Sequence, residues 1–341
     1  MTPTGIGMLG AGAWGRNHVR TLELLPEAEL RWICDVDDRV LERYGRSHPA
    51  VSRTGSLEDV LSDSQVEAVV IASPAPTHAS LTQQALLADR HVLVEKPLAL
   101  SVAEAEELVQ LASERERILM VGHILAYHPG LQALSARLTS GELGELRYLY
   151  AQRVNLGRVR AEESALWSLG SHDVSAILQL VGREPVSVSA QGRAYLTPSV
   201  EDVVFVHLEF PGGVLAHIHL SWLDPHKVRR LTVVGSQKMA VLDDMETTEK
   251  LRIYDRGAER PEGWESYGEA ISLRFGDIVI PRLDMEEPLR LECRHFLDCI
   301  RTGERPRTDG AEGLAVVRIL AAAEESLRAG GVPRPVAGGA R

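Results

Sequence analysis

The stretch Ile6-Gly7-Met8-Leu9-Gly10-Ala11-Gly12-Ala13-Trp14-Gly15-Arg16 decides the fold. A short apolar run over Ile6 to Leu9 reads as a buried strand, a GxGxxG spacing follows it, and a helical stretch runs from Arg16 to Leu25. Dinucleotide chemistry needs that order. The first two glycines let the backbone turn and approach a pyrophosphate, and the helix N-terminus offers its free N–H groups to the anion. Asp35 ends a second apolar run, Leu30 to Asp35, 20 residues after Gly15, where a carboxylate accepts from ribose hydroxyls. The same carboxylate repels a 2′-phosphate, so NAD is expected over NADP, with Arg39 the nearest cation that could serve both.

Outward from this unit the alternation continues. Val66 to Ala72, His91 to Glu95 and Ile118 to Gly122 read as further buried strands, and Asp37 to Tyr44, Thr77 to Ala88 and Val102 to Glu116 as helices between them. Strand and helix in strict alternation predict an α/β protein whose first domain, residues 1–122, is a Rossmann doubly wound parallel sheet. From about residue 145 the runs alternate and are joined by turns. Val203 to Phe210, Pro211-Gly212-Gly213 and Val214 to Leu220 read as a hairpin, and Val228 to Gly235 and Met239 to Leu242 as further strands. With helices at Val174 to Leu180, Leu289 to Arg301 and Gly313 to Arg328, residues 123–341 are expected to form an α+β domain on a mainly antiparallel sheet. Asp255 to Pro288 reads as loops or short strands.

Composition agrees with two domains, since 341 residues at about 150 per domain give that number. Net charge is −11, from 37 Lys and Arg against 48 Asp and Glu, which disfavours nucleic acid as a partner. Cys34, Cys293 and Cys299 are scattered, which points to a reducing cytoplasm, and neither a leader nor a membrane segment is expected.

Three further groups carry chemistry. Lys96, in Val94-Glu95-Lys96-Pro97, ends a parallel strand where ligands of doubly wound folds bind; facing an oxidised nicotinamide it would serve as a base near neutral pH. His172 sits at a helix start in Trp167-Ser168-Leu169-Gly170-Ser171-His172-Asp173, placed for proton transfer, with Asp173 a candidate cap. His123, Tyr127 and His128 follow the strand ending at Gly122 and are candidates to line a substrate cleft. His217 and His219 share one face of a strand, and no third ligand at a recognisable spacing makes them a metal site.

Over most of its length the chain resembles the Gfo/Idh/MocA oxidoreductases, which act on sugars and cyclitols. The resemblance rests on Gly10 to Gly15, the loop Ser73-Pro74-Ala75-Pro76-Thr77-His78, Glu95-Lys96-Pro97, His172-Asp173, Leu291 to Phe296, and Pro306-Arg307-Thr308-Asp309-Gly310. It implies a second domain with a large open sheet that mediates dimers or tetramers. It implies Lys96 and His172 as the catalytic pair, without choosing the base. Gly10, Gly12, Ala13, Trp14, Gly15, Asp35, Ser73, Pro74, Thr77, His78, Glu95, Lys96 and Pro97 are then expected at NAD. Many members carry an acidic residue four positions before the histidine; here that position is Ser168.

The segment Arg153-Val154-Asn155-Leu156-Gly157-Arg158 resembles a subgroup acting on hexopyranoses, in nucleotide sugars or aminoglycosides, with oxidation at C3. Expected at the substrate are His123, Tyr127, Arg153, Asn155, Arg158, Trp167 and Asp173. Cyclitol dehydrogenation and NAD-assisted glycoside cleavage are alternatives within the resemblance, and an NAD-binding sensor is the alternative outside enzymes.

Overall fold

The computed structural model describes residues 2–157, 160, 163–259 and 272–336. The chain divides into two compact units, Met1–Tyr127 with Glu286–Val317, and His128–Met285 with Arg318–Arg341. A single cut after residue 122 was expected; instead the chain returns to the first unit after completing most of the second.

The first unit holds β1 (Thr4–Leu9), α1 (Gly15–Glu23), β2 (Ala28–Cys34), α2 (Asp38–Ser47), β3 (Ser52–Thr54), α3 (Leu57–Ser62), β4 (Ala68–Ile71), α4 (His78–Leu87), β5 (His91–Glu95), α5 (Val102–Glu114) and β6 (Leu119–Gly122). Its six strands are all parallel, in the order β3-β2-β1-β4-β5-β6. The order reverses direction beside β1, which places the first strand's carboxyl end at the crevice where such sheets bind ligands. β4 is buried at every residue, as a strand covered on both faces must be. β3 and α3 were not anticipated, being too short to show a period.

The returning segment explains the discontinuity. α8 (Pro288–Thr302) packs Leu289, Cys293, Phe296 and Leu297 into one core with Ile6, Val19, Leu93 and Tyr127. Its spacing of apolar residues fits a helix face, but spacing does not say which sheet that face meets. Thr308 then closes the edge of β6, where its carbonyl accepts from Val121 N at 2.8 Å and its hydroxyl donates to Val121 O at 2.7 Å.

The second unit comprises α6 (Pro129–Thr139), β7 (Leu146–Val154), α7 (Ser171–Val181), β8 (Ser187–Arg193), β9 (Val203–Glu209), β10 (Leu215–Ser221), β11 (Val228–Gly235), β12 (Met239–Asp243), β13 (Leu251–Glu259), β14 (Ser272–Val279) and β15 (Arg334–Pro335). α9 (Gly310–Arg328) begins in the first unit and ends in the second. The nine strands run β14-β13-β12-β11-β7-β10-β9-β8-β15, and every pairing is antiparallel except β7 with β10.

The expected hairpin is β9 and β10, with Val203 opposite Ser221. Val204, Val206, Leu208, Ala216, Ile218 and Leu220 are buried on one face, while Phe205 and Leu215 are exposed on the other. Sequence reading missed the central strand β7. Part of the unplaced region is strand, in β13 and β14. Among the described residues no helix is long and apolar enough to cross a membrane. All three cysteines are buried and free.

Candidate active site

The glycine loop is shaped by contacts that exclude side chains. Gly10 has φ +86°, and a Cβ there would stand 2.7 Å from Ser73 N; a Cβ on Gly15 would stand 2.0 Å from Gly10 O. Gly12 has the opposite surroundings, with nothing within 4 Å of where its Cβ would be. Trp14, at the N-cap of α1, makes no side-chain cap, and no acidic residue occupies the first turn. The open side of Gly12 and the uncapped N–H groups fit a pyrophosphate.

Asp35 stands just beyond β2 and braces this loop, its Oδ2 accepting from Ala11 N at 2.8 Å and its Oδ1 from Asp37 N at 3.0 Å. Arg39 is engaged by Asp37 at 3.1 Å. Arg43 Nη2 and Tyr44 Oη donate to Ala11 O at 2.9 and 3.3 Å, support that sequence reading missed because α2 carries it from some 30 residues away. Replacing Asp35 by Asn keeps its size and one of the two accepted bonds, and removes the charge that repels a 2′-phosphate. The ratio of NADP to NAD dissociation constants, measured by calorimetry, is expected to fall about tenfold.

The Ser73 loop and the end of β5 meet through His78. This buried ring sets Nδ1 against Pro97 O at 2.7 Å and Nε2 against Ser73 O at 2.9 Å, and Ser73 Oγ bonds Thr77 Oγ1 at 2.6 Å. Lys96-Pro97 is a cis peptide. His78 is therefore a strut that fixes two loops at one sheet edge.

Glu95 gathers the remaining parts. His18 Nε2 lies 2.8 Å from its Oε1, Trp14 Nε1 donates to the same oxygen, and Oε2 accepts from Lys96 N at 3.3 Å. Burial pushes the Glu95 carboxyl up, but the His18 and Trp14 bonds and the Lys96 charge outweigh it and hold the group below its usual range. Behind His18 lies Cys293, with Sγ 3.7 Å from Nδ1. Burial, then the charges of Glu292 and Glu95, keep this thiol protonated. Cys293 can thus donate to Nδ1, leaving the Nε2 hydrogen for Glu95. Glu292, wholly buried on α8, is raised well above the carboxylate range by burial and by Glu95, so one of the two carboxyls is neutral. The signal for these α8 residues was present in Leu291 to Phe296, without any indication of what they touch.

In the second unit, a π-helical turn at Leu166–Gly170 leads into α7 and carries Trp167 and Ser168, both buried. His172 lies half-buried in the first turn of α7. Asp173 is not the cap expected of it. It lies inside α7 and accepts from Arg153 Nε at 2.6 Å and Nη2 at 3.0 Å, both side chains 8% exposed. Arg153 and Asp173, expected at a substrate, bind each other. Tyr127 belongs to the core of the first unit, its hydroxyl 3.2 Å from Thr308 Oγ1. His128 caps α6 through Gly130 N and pairs with Asp244 at 3.2 Å. Asn155 is partly buried just beyond β7; Arg158 lies outside the described residues.

His217 and His219 stack with Phe205 and His207 on the exposed face of β9 and β10. His217, with Phe205 and His207, borders a cavity of about 360 Å³ that shares no residue with the candidates for NAD or sugar.

Residues 4–123 match the family model described as oxidoreductase family, NAD-binding Rossmann fold, and residues 131–241 match the GFO/IDH/MocA C-terminal domain. The UDP-N-acetylglucosamine 3-dehydrogenase of Acidithiobacillus ferrooxidans is 30% identical over 327 residues, covering 93% of this chain and 94% of that protein. Its solved structure superposes with a TM-score of 0.81 at 26% identity, over 97% of this chain and 99% of that one. GenD2 from gentamicin A biosynthesis, solved in complex with NAD, gives a TM-score of 0.82 at 25% identity over 98% and 97% of the two chains.

Proposed function

Because the chain belongs to the Gfo/Idh/MocA oxidoreductase family and is an NAD-dependent member of it, we propose that it oxidises the C3 hydroxyl of a hexopyranose, in a nucleotide sugar or an aminoglycoside, to a ketone. The observation that carries the reading is the convergence, at one sheet edge, of the Gly10 to Gly15 loop, the His78 strut and Lys96. The C3 position and the hexopyranose class are supported by the named activity of the Acidithiobacillus relative.

Gly12 and the start of α1 would hold the pyrophosphate of NAD and Asp35 would accept from its ribose, with Trp14 and the Ser73 loop as further candidates to meet it. Bound NAD supplies the hydride acceptor. Lys96 in the first unit and His172 in the second are the candidates for the proton work, the roles that the family resemblance implies for them. We assign the first unit to NAD and the second to the sugar and to assembly of a dimer or tetramer. Tyr148, Phe205 and Leu215, exposed on the open sheet, support the assembly. Three buried thiols support a cytoplasmic setting.

A panel of nucleotide sugars, aminoglycosides and cyclitols scored for NADH production tests the reading. Net NADH with a hexopyranose is expected. A product cleaved at the glycosidic bond without net NADH, or reaction with cyclitols alone, would overturn it.

A further inference from the structure

His123 is the first residue beyond β6. The last paired residues of β5 and β6 are Glu95 and Gly122, so Lys96 and His123 leave adjacent parallel strands at the same level. Neighbouring strands lie about 4.8 Å apart. The His123 ring is 1% exposed, and its Nδ1 lies 2.6 Å from Glu312 Oε2, on the first turn of α9. Among the described residues its Nε2 has no hydrogen-bond partner, nor has Glu312 Oε1.

A histidine that only packs finds a partner for each ring nitrogen, as His128 does, its Nδ1 accepting from Gly130 N and its Nε2 donating to Asp244 Oδ1. His123 does not. The Glu312 carboxylate can only accept, so in the neutral ring Nδ1 carries the hydrogen and Nε2 presents a lone pair. An oriented imidazole with a bare Nε2, backed by a carboxylate, is the arrangement that accepts protons in hydrolytic triads. The titratable and charged groups on the surrounding elements are Glu95 and Lys96 at the end of β5, Tyr127 in the turn after His123, Arg307 over the Tyr127 ring, and Asp309 and Glu312 at α9.

We propose that the His123–Glu312 pair takes the proton onward from Lys96, which makes Lys96, and not His172, the base. The inference rests on the assignment of Lys96 to the reacting hydroxyl. The hydroxyl proton moves to the Lys96 amine, giving an ammonium. It then moves to His123 Nε2, restoring the amine and giving an imidazolium whose Nδ1–H stays on Glu312. The electron pair leaves the substrate as hydride, so the relay carries a proton alone. His123 is thus a positioning residue that acts through Lys96.

Two measurements test this. In the unaltered protein without substrate, nitrogen NMR of ¹⁵N-labelled histidine should show His123 with hydrogen on Nδ1 and a bare Nε2; a hydrogen on Nε2 in the neutral ring overturns the proposal. Glu312→Gln removes the carboxylate that holds the hydrogen on Nδ1. Its kcat should fall at least about tenfold with the KM for NAD unchanged. An unchanged kcat overturns the relay. Should this variant fail to fold, the NMR measurement still decides. An unaltered protein that yields no NADH from any sugar counts against the function itself, whereas an active protein whose kcat is unmoved by Glu312→Gln counts against the relay alone.

Discussion

Lys96→Ala is expected to lower turnover by about a thousandfold or more while leaving the NAD dissociation constant within about twofold of the parent, the range that loss of a positioned general base produces. The separation follows from how the residue is held. Its backbone is fixed by Glu95 Oε2 and, through Pro97 O, by His78, none of which needs the Lys96 side chain. The glycine loop and the start of α1 are likewise untouched. Lys96→Arg should not restore activity, because a guanidinium does not give up its proton near neutral pH. Stopped assays of NADH formation alongside calorimetric NAD binding check both halves. Turnover retained in Lys96→Ala would remove the residue from the chemistry.

Arg153→Ala is expected to destabilise the second unit by about 3 kcal/mol, at the lower end of what breaking a buried ion pair costs. The mechanism is the Asp173 carboxylate left 8% exposed without its two donors. The value falls at the lower end because Arg229 is close. Burial, then the Arg153 charge, pulls the Arg229 guanidinium below its usual value, with Asp173 acting in the opposite sense. With Arg153 removed, the Arg229 charge still acts on the orphaned carboxylate. Urea unfolding at neutral pH reads the effect, and the double replacement Arg153→Met with Asp173→Leu should recover most of it. A single variant as stable as the parent would show the pair to be solvated.

The parallel half was legible because its signal is local. Ile6 to Gly15 and Asp35 lie within one strand, turn, helix and strand, so the loop and the carboxylate that braces it are read from one short stretch of sequence. The antiparallel half was legible where a turn announced it, at Pro211-Gly212-Gly213, and where apolar runs stood out, in Val228–Gly235 and Met239–Asp243. β7 was missed because no turn joins it to its partners: it pairs with β10 and β11, both more than 60 positions later. The site was read in part for the same reason. Lys96 and Glu95 were found on the strand that bears them. Glu292 and Cys293, beside Glu95 and His18, and Glu312, the partner of His123, arrive from helices near the other end of the chain, and a linear sequence does not reveal which helix covers which strand. Arg153, Asp173 and Tyr127 show the converse. A polar or aromatic residue at a plausible position is equally what a buried pair or a core requires.

The late arrival of α8 bears on how the protein is made. When a ribosome has released residues 1–127, every strand of the six-stranded sheet exists, yet the layer formed by Leu289, Cys293, Phe296 and Leu297 has not been synthesised. Val19, Leu22 and Tyr127 then face water until well over a hundred further residues have been added. The nascent first unit is therefore a natural client for a chaperone that shields apolar surface, and a gene fragment ending at codon 127 encodes a sticky polypeptide instead of a free-standing nucleotide-binding module.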